Sequence, residues 1–183
     1  MSTPIVVITG PSGVGKGTLI KGLLERVPGL QLAVSATTRE PRPGEVNGRD
    51  YHFLSEEDFD RRVAAGEFVE HAVYAGNRYG TLRSELARPA HGIVLEIDVQ
   101  GARQVAETLP EAARVFVEPP SFDDLARRLA GRGADSPEEI ERRLAAAHAE
   151  LEARDEFDHR IINDDLERAL RELAELVATM CPR

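Results

Sequence analysis

Residues 5–18 read IVVITGPSGVGKGT. The run Ile5-Val6-Val7-Ile8 is a short, β-branched apolar segment of the kind that forms a buried strand. The next residues fit the spacing G-x-x-x-x-G-K, with Gly10, Gly15 and Lys16 in register. Beyond them, residues 18–27 place Leu19, Leu23, Leu24 and Val27 on one side of an amphipathic helix, which Pro28-Gly29 ends. A strand, a glycine turn and a helix in that order form a device for holding phosphate. Gly10, Gly13 and Gly15 allow the backbone to turn its N–H groups toward one anion, and the helix adds its free N–H groups and positive dipole end. Lys16 supplies a compact charge for the β- and γ-phosphates of a nucleotide. The bland alternative is a glycine turn between any strand and any helix. Against it stands the pattern of basic residues. The chain has 23 lysines and arginines, but only Lys16 and Lys21 are lysines. A sequence that uses arginine almost everywhere keeps lysine where a flexible ammonium suits the site.

Working outward, 183 residues with 42% apolar content are read as one compact domain. The net charge of −9 argues against a general nucleic-acid binder, so the positive charge should be concentrated where anions bind. Cys181 is the sole cysteine, which excludes an intrachain disulfide and fits a reducing, cytoplasmic setting. The N-terminal apolar run is too short and lacks the basic lead of a signal peptide, and no segment approaches membrane-spanning length.

Along the rest of the chain, strands are expected at 30–35, 93–97, 113–117 and 160–162. Helices are expected at 81–88, 100–109, 122–131 and 166–180, with further helices opening at Ser55 and Ser136 on capping patterns. Residues 67–74 alternate and Gly76-Asn77 turns them back, which predicts a hairpin or meander. Alternating strands and helices give an α/β fold with a parallel sheet and helices on both faces. The stretch SATTREPRPGEVNGRDYHF, residues 35–53, is a turn-rich segment that is basic within an acidic protein. Its arginines read equally well as partners of surface carboxylates or as a second phosphate site built from Ser35, Thr38, Arg39, Arg42 and Tyr51. Glu70, within a half-buried strand, reads by itself as a carboxylate on the wet face. Asp98 closes a core strand, the place for a carboxylate associated with a metal. Arg127, Arg128, Arg132, Arg142 and Arg143 flank one joint, either as i,i+4 ion pairs or as a lid that brings guanidinium groups onto a phosphate chain.

The segments GPSGVGKGT, VSATTREPRPGEVNGRDYHF, EFVEHAVYAGNRYGT, VLEIDVQGA, RRLAGRG with ERRLAAAHAEL, and IINDDL together resemble the guanylate kinases, over essentially the whole chain. The resemblance implies a P-loop NTPase-type core (residues 1–35, 84–124 and 152–183), a small mixed insertion for the nucleoside monophosphate (36–83) and a helical lid (125–151). It implies that ATP, with Mg²⁺, phosphorylates GMP, and dGMP as well, by direct in-line transfer, in the recycling of GMP. It further implies that Gly10, Ser12, Gly13, Val14, Gly15, Lys16, Gly17 and Thr18 receive ATP, with Asn163 beside the adenine. Ser35, Arg39, Arg42, Tyr51 and Tyr79 would bind the GMP phosphate, and Glu70, Thr81 and Asp98 the guanine. Lys16, Arg39, Arg128, Arg132 and Arg143 would serve the transfer itself. Thr18, and Asp98 through water, are the metal candidates. Two positions depart from the family's pattern: Gly17 after the lysine, and Glu96 where aspartate is frequent. Both bear on the metal. The expected partners are the two nucleotides alone, with no nucleic acid and no membrane, in a monomer or homodimer.

Asp98-Val99-Gln100-Gly101 matches the D-x-x-G of GTPase switches. Guanine recognition there uses N-K-x-D, and neither lysine follows an asparagine. A non-catalytic, peptide-binding module on the same fold would lack a working phosphate loop. A kinase of another small phosphate ester remains open on the residues alone.

Overall fold

In the computed structural model, residues 3–131 and 136–180 are described; Arg132 and Cys181 lie outside the described residues. The first strand, β1 (Ile5–Thr9), runs into the glycine turn, and α1 (Lys16–Arg26) begins at the lysine itself. Helix α1 starts two residues earlier than the pattern predicts because Gly15 takes a left-handed conformation (φ 98°) that the helix uses as its N-cap.

The central sheet is parallel and five-stranded. Its order is β2 (Leu30–Leu32), β7 (Gly92–Glu96), β1, β8 (Ala113–Glu118) and β9 (His159–Ile162). Strand β1 thus has later strands on both sides, which opens a crevice at the carboxyl ends of β1 and β7. Alternation along β1 splits the core. Val6 and Ile8 pack with α1, α5 (Phe122–Ala130) and α7 (Leu166–Met180) on one face. Val7 packs with Ile93, Leu95 and Val105 of α4 (Val99–Thr108) on the other. The expected α/β core with helices on both faces is the fold observed.

A second, four-stranded sheet is built from residues 36–82, in the order β4 (His52–Phe53), β3 (Ala36–Thr37), β6 (Asn77–Leu82), β5 (Phe68–Tyr74). Helix α2 (Glu56–Ala64), capped by the Ser55 hydroxyl, covers it through Phe59, which stacks on Phe68 at 4.5 Å. The hairpin turns at Ala75-Gly76, both at positive φ.

Two expected elements differ. The strand read over 30–35 ends at Leu32, because the Val34 N–H leaves the central sheet and donates to Glu85 Oε2 at 2.9 Å, carrying the chain into the second sheet. The helix read from Thr81 begins only at Arg83 (α3, Arg83–Leu86), since Thr81 and Leu82 are still paired with β5. In the arm, α6 (Pro137–Glu152) comes after α5 and leads through a 3₁₀ turn (Ala153–Glu156) to β9.

Candidate active site

One cavity of about 400 Å³ lies at the carboxyl end of the parallel strands, between the glycine loop, the second sheet and the end of α6. Gly10, Ser12, Lys16, Ser35, Tyr51, Glu70, Tyr79 and Asp98 all contribute to its wall. Residues far apart in sequence, expected separately at a triphosphate and at a nucleoside monophosphate, therefore face one space.

At the loop, Lys16 Nζ donates to the carbonyls of Gly10 and, at 3.1 Å, Pro11. Burial pushes the ammonium pKa down from its ordinary value, opposed by the carboxylates of Glu96, Glu150 and Asp98. The loop is braced from behind. Asn163, directly after β9, is buried, and its Nδ2 donates to the Val14 carbonyl at 2.8 Å. Arg128 of α5 donates to Val14 O at 3.2 Å and to Asn163 O at 2.8 Å. The fit is tight: a Cβ on Gly15 would stand 2.6 Å from Asn163 Nδ2, and one on Gly13 2.7 Å from Leu129 Cδ2. The structure thus puts Asn163 and Arg128 on the loop backbone. Gly17 and Thr18 are exposed on α1, and Thr18 is not part of the cavity wall.

On the far side, Glu70 is 4% exposed and accepts the Thr81 hydroxyl at 2.7 Å. Burial raises its pKa to about 7, with the Thr81 bond opposing and Asp98 adding to the rise. A β-bulge produces this pair. Phe68 faces Leu82, but the register then slips, so that Glu70 faces Thr81 and His71 faces Gly80. Two neighbours that sequence reading did not single out complete the setting. Gly101 leaves room for Glu70, since a Cβ there would overlap Oε2. Gln104 of α4 clamps the β5 backbone, accepting the His71 N–H at 3.0 Å and donating to the His71 carbonyl at 2.7 Å. Asp98 caps α4 by accepting the Gly101 N–H at 2.8 Å while it lines the cavity.

Arg39 is held flat. Its two terminal nitrogens meet both oxygens of Glu45 at 3.0 and 2.9 Å, and its guanidinium lies 5.2 Å from the centre of the Tyr51 ring. The Glu45 pair, with Tyr79 assisting, raises its pKa further and keeps it charged at any working pH. Tyr51 stands edge-on to Tyr79 at 6.2 Å. Arg42 is exposed, and its backbone N–H donates to Glu45 at 2.7 Å. Arg143, half-buried on α6, acts electrostatically on the Tyr74 hydroxyl. Glu96 ends β7 beside the cavity, its pKa raised by burial against the pull of Lys16. No group of three or more His, Cys, Asp or Glu suited to a metal occurs among the described residues.

A glycine loop with its lysine and a buried carboxylate share one cavity on this fold, and comparison with known proteins agrees. The guanylate kinase family model matches residues 2–180. The chain belongs to the guanylate kinase family. It is accordingly an enzyme that phosphorylates GMP to GDP with ATP. Among similar proteins, the guanylate kinase of Frankia casuarinae is 54% identical over 179 residues, covering 96% of each chain. That of Nostoc sp. is 52% identical over 174 residues, covering 93% of this chain and 87% of the relative. The crystal structure of guanylate kinase from Anaplasma phagocytophilum superposes with a TM-score of 0.78 at 29% identity, covering 100% of this chain and 88% of that one. Among the described residues, no helix is long and apolar enough to cross a membrane.

Proposed function

We propose that the guanylate kinase reaction runs in this one cavity, with GMP on the second-sheet side and the ATP phosphates on the glycine loop. The observation that carries the assignment is the shared wall: Lys16 and Glu70, the carboxylate that accepts the Thr81 hydroxyl, line the same space. Guanine offers N1–H and the 2-amino group side by side, and an ionised Glu70 with Thr81 and Asp98 near it can accept both. Adenine offers a lone pair at N1, which leaves the same buried carboxylate unmatched. Ser35, Arg39, Arg42, Tyr51 and Tyr79 take the GMP phosphate, with Glu45 fixing the Arg39 fork in the plane where it can meet phosphate oxygens.

On the donor side, the N–H groups of residues 10–18 and the α1 N-terminus cradle the triphosphate, and Lys16 turns from its loop carbonyls to the β- and γ-phosphates. Asn163 and Arg128 serve ATP through the loop they brace. Arg132 and Arg143 of the arm 125–151 close over the transferring group, while the insertion 36–83 carries GMP toward it. No covalent intermediate is required: alignment and charge neutralisation do the work, and closure keeps water from competing as acceptor.

Mg²⁺ would accompany the ATP, and Asp98, whose carboxylate lines the cavity, would hold it through water. When bound, it neutralises charge on the phosphate chain. Thr18, exposed on the first turn of α1, would be the second candidate.

The test is a coupled assay of ADP release with GMP, dGMP, AMP and a sugar phosphate as acceptors, on wild type and Lys16→Ala. Turnover is expected with GMP and dGMP only. The variant should lose on the order of 10²-fold or more in kcat, the cost of one preorganised charge donor. Half of wild-type turnover surviving in Lys16→Ala would sink the assignment of the loop.

A further inference from the structure

Glu150 has no part in the phosphoryl transfer, yet its carboxylate enters the phosphate loop. It stands one turn beyond Ala147, which is fully buried against the loop and α5 side of the core, so the same face of α6 delivers Glu150 into the cavity beside Ser12 and Lys16. One of its oxygens, Oε2, is buried without a hydrogen-bond partner. The surrounding charges come from several elements. Lys16 of α1 and the Ser12 N–H favour the carboxylate. Burial and Asp98 oppose it. Tyr74 at the hairpin tip feels Glu150 in turn, and Arg143, on the same helix as Glu150, acts on that hydroxyl as well.

A half-satisfied buried carboxylate is costly, and nothing in α6 needs it for helix formation or packing. Its compensation is the charge of Lys16 and the Ser12 amide, two of the groups that a triphosphate would claim. Two anions cannot share them. We propose that Glu150 is a competing internal anion of the phosphate loop, so that a polyphosphate entering the loop must expel the carboxylate and, with it, shift the end of the arm helix. Glu150 is then a positioning residue: it ties the state of the loop to the position of the arm that carries Arg143. This rests on the loop being the triphosphate site.

The experiment measures binding of inorganic tripolyphosphate, which has no base to confuse the reading, to the full chain by calorimetry at neutral pH. Glu150→Gln is expected to bind at least about threefold more tightly than wild type, because a like charge is removed, while GMP affinity stays within about twofold. Glu150→Ala, measured alongside, removes the carboxylate without placing an amide in the loop and should tighten binding in the same direction; either variant that keeps the wild-type circular dichroism spectrum suffices. A further readout is hydrogen exchange: tripolyphosphate should raise exchange around residues 147–152 in wild type and not in Glu150→Gln. Equal or weaker tripolyphosphate binding in the folded variants overturns the proposal. Lys16→Ala separates the role of the loop from the role of Glu150. If it binds tripolyphosphate as well as wild type does, the loop assignment fails and this proposal falls with it. If Lys16→Ala loses binding while Glu150→Gln gains none, only the role of Glu150 is refuted.

Discussion

Glu70 shows how much a single residue depends on its surroundings. As sequence it is a carboxylate in an alternating strand, which by itself reads as solvent-facing. Its folded position is nearly sealed, paired to Thr81, and titrates near 7. A carboxyl whose pKa is raised on folding contributes stability below its ordinary value of about 4.5 and loses it as pH climbs through about 7. Glu70→Gln should therefore gain stability relative to wild type between pH 5 and 8, by up to about 3 kcal/mol, read as diverging denaturant midpoints. Catalysis moves the other way. In the proposed guanine site the ionised form does the binding, so wild-type kcat/KM for GMP should rise with pH through neutrality by more than that of Glu70→Gln. At pH 8 the variant should be at least roughly tenfold lower in kcat/KM for GMP, with the KM for ATP unchanged and the preference for GMP over AMP reduced. An intact preference would make Glu70 a structural strand carboxylate.

At the scale of elements, the phosphate loop is shaped as much by what lies behind it as by its own glycines. The turn from β1 to α1 is held by the Asn163 amide and the Arg128 guanidinium, which converge on Val14 O. Removing the asparagine side chain leaves that carbonyl with Arg128 alone, and the loop N–H groups lose their aim. Asn163→Ala should lower kcat/KM for the nucleotide donor on the order of tenfold, about the effect of one hydrogen bond to a buried group. Because the Nδ2 group is committed to the loop, ATP and GTP tried as donors should lose alike. A loss confined to ATP would place Asn163 against the adenine instead.

At the scale of the whole molecule, the second sheet is fastened to the core at its root by one buried carboxylate. Glu85 Oε2 accepts the Val34 N–H at 2.9 Å and Arg88 at 2.8 Å, and Oε1 meets His52 Nε2 at 2.9 Å. It joins the segment entering the insertion, the strand β4 within it and the helix α3 that leaves it. Burial raises the Glu85 pKa, but Val34, His52 and Arg88 together bring it below its ordinary value. Its stabilisation is thus present above about pH 4.5 and fades as pH falls through the lowered pKa, opposite in sense to Glu70. Glu85→Ala should cost about 1–3 kcal/mol at pH 7, since three donors lose one shared acceptor, and the gap to wild type should narrow in acid. Equal urea midpoints at pH 7 would refute the fastening role. An increase in KM for GMP without change in KM for ATP would accompany the loss, because the root orients only the side proposed for the acceptor.

The local order of the chain was legible without coordinates. The run IVVI, the spacing of Gly10, Gly15 and Lys16, the capping serines Ser55 and Ser136, and the turn after Tyr74 are short-range signals, and each element they imply is present. Resemblance carried the reading further, to GMP and ATP. What sequence could not contain is information held in pairings between distant segments. The register slip after Phe68 sets Glu70 opposite Thr81 in place of Gly80, and a period-two pattern has no mark for one extra residue. The absent side chain of Gly101 matters only because α4 packs against β5. The strand expected through Ser35 stops early because a carboxylate fifty-one residues away captures the Val34 N–H. Glu150 looks like any surface glutamate on a charged helix until Ala147 packs into the core and turns that face inward. Spacing and propensity act over a few residues and determine which elements form. Burial, register and the field of neighbouring charges act between elements, so only the tertiary structure decided which carboxylates are buried and which face the cavity.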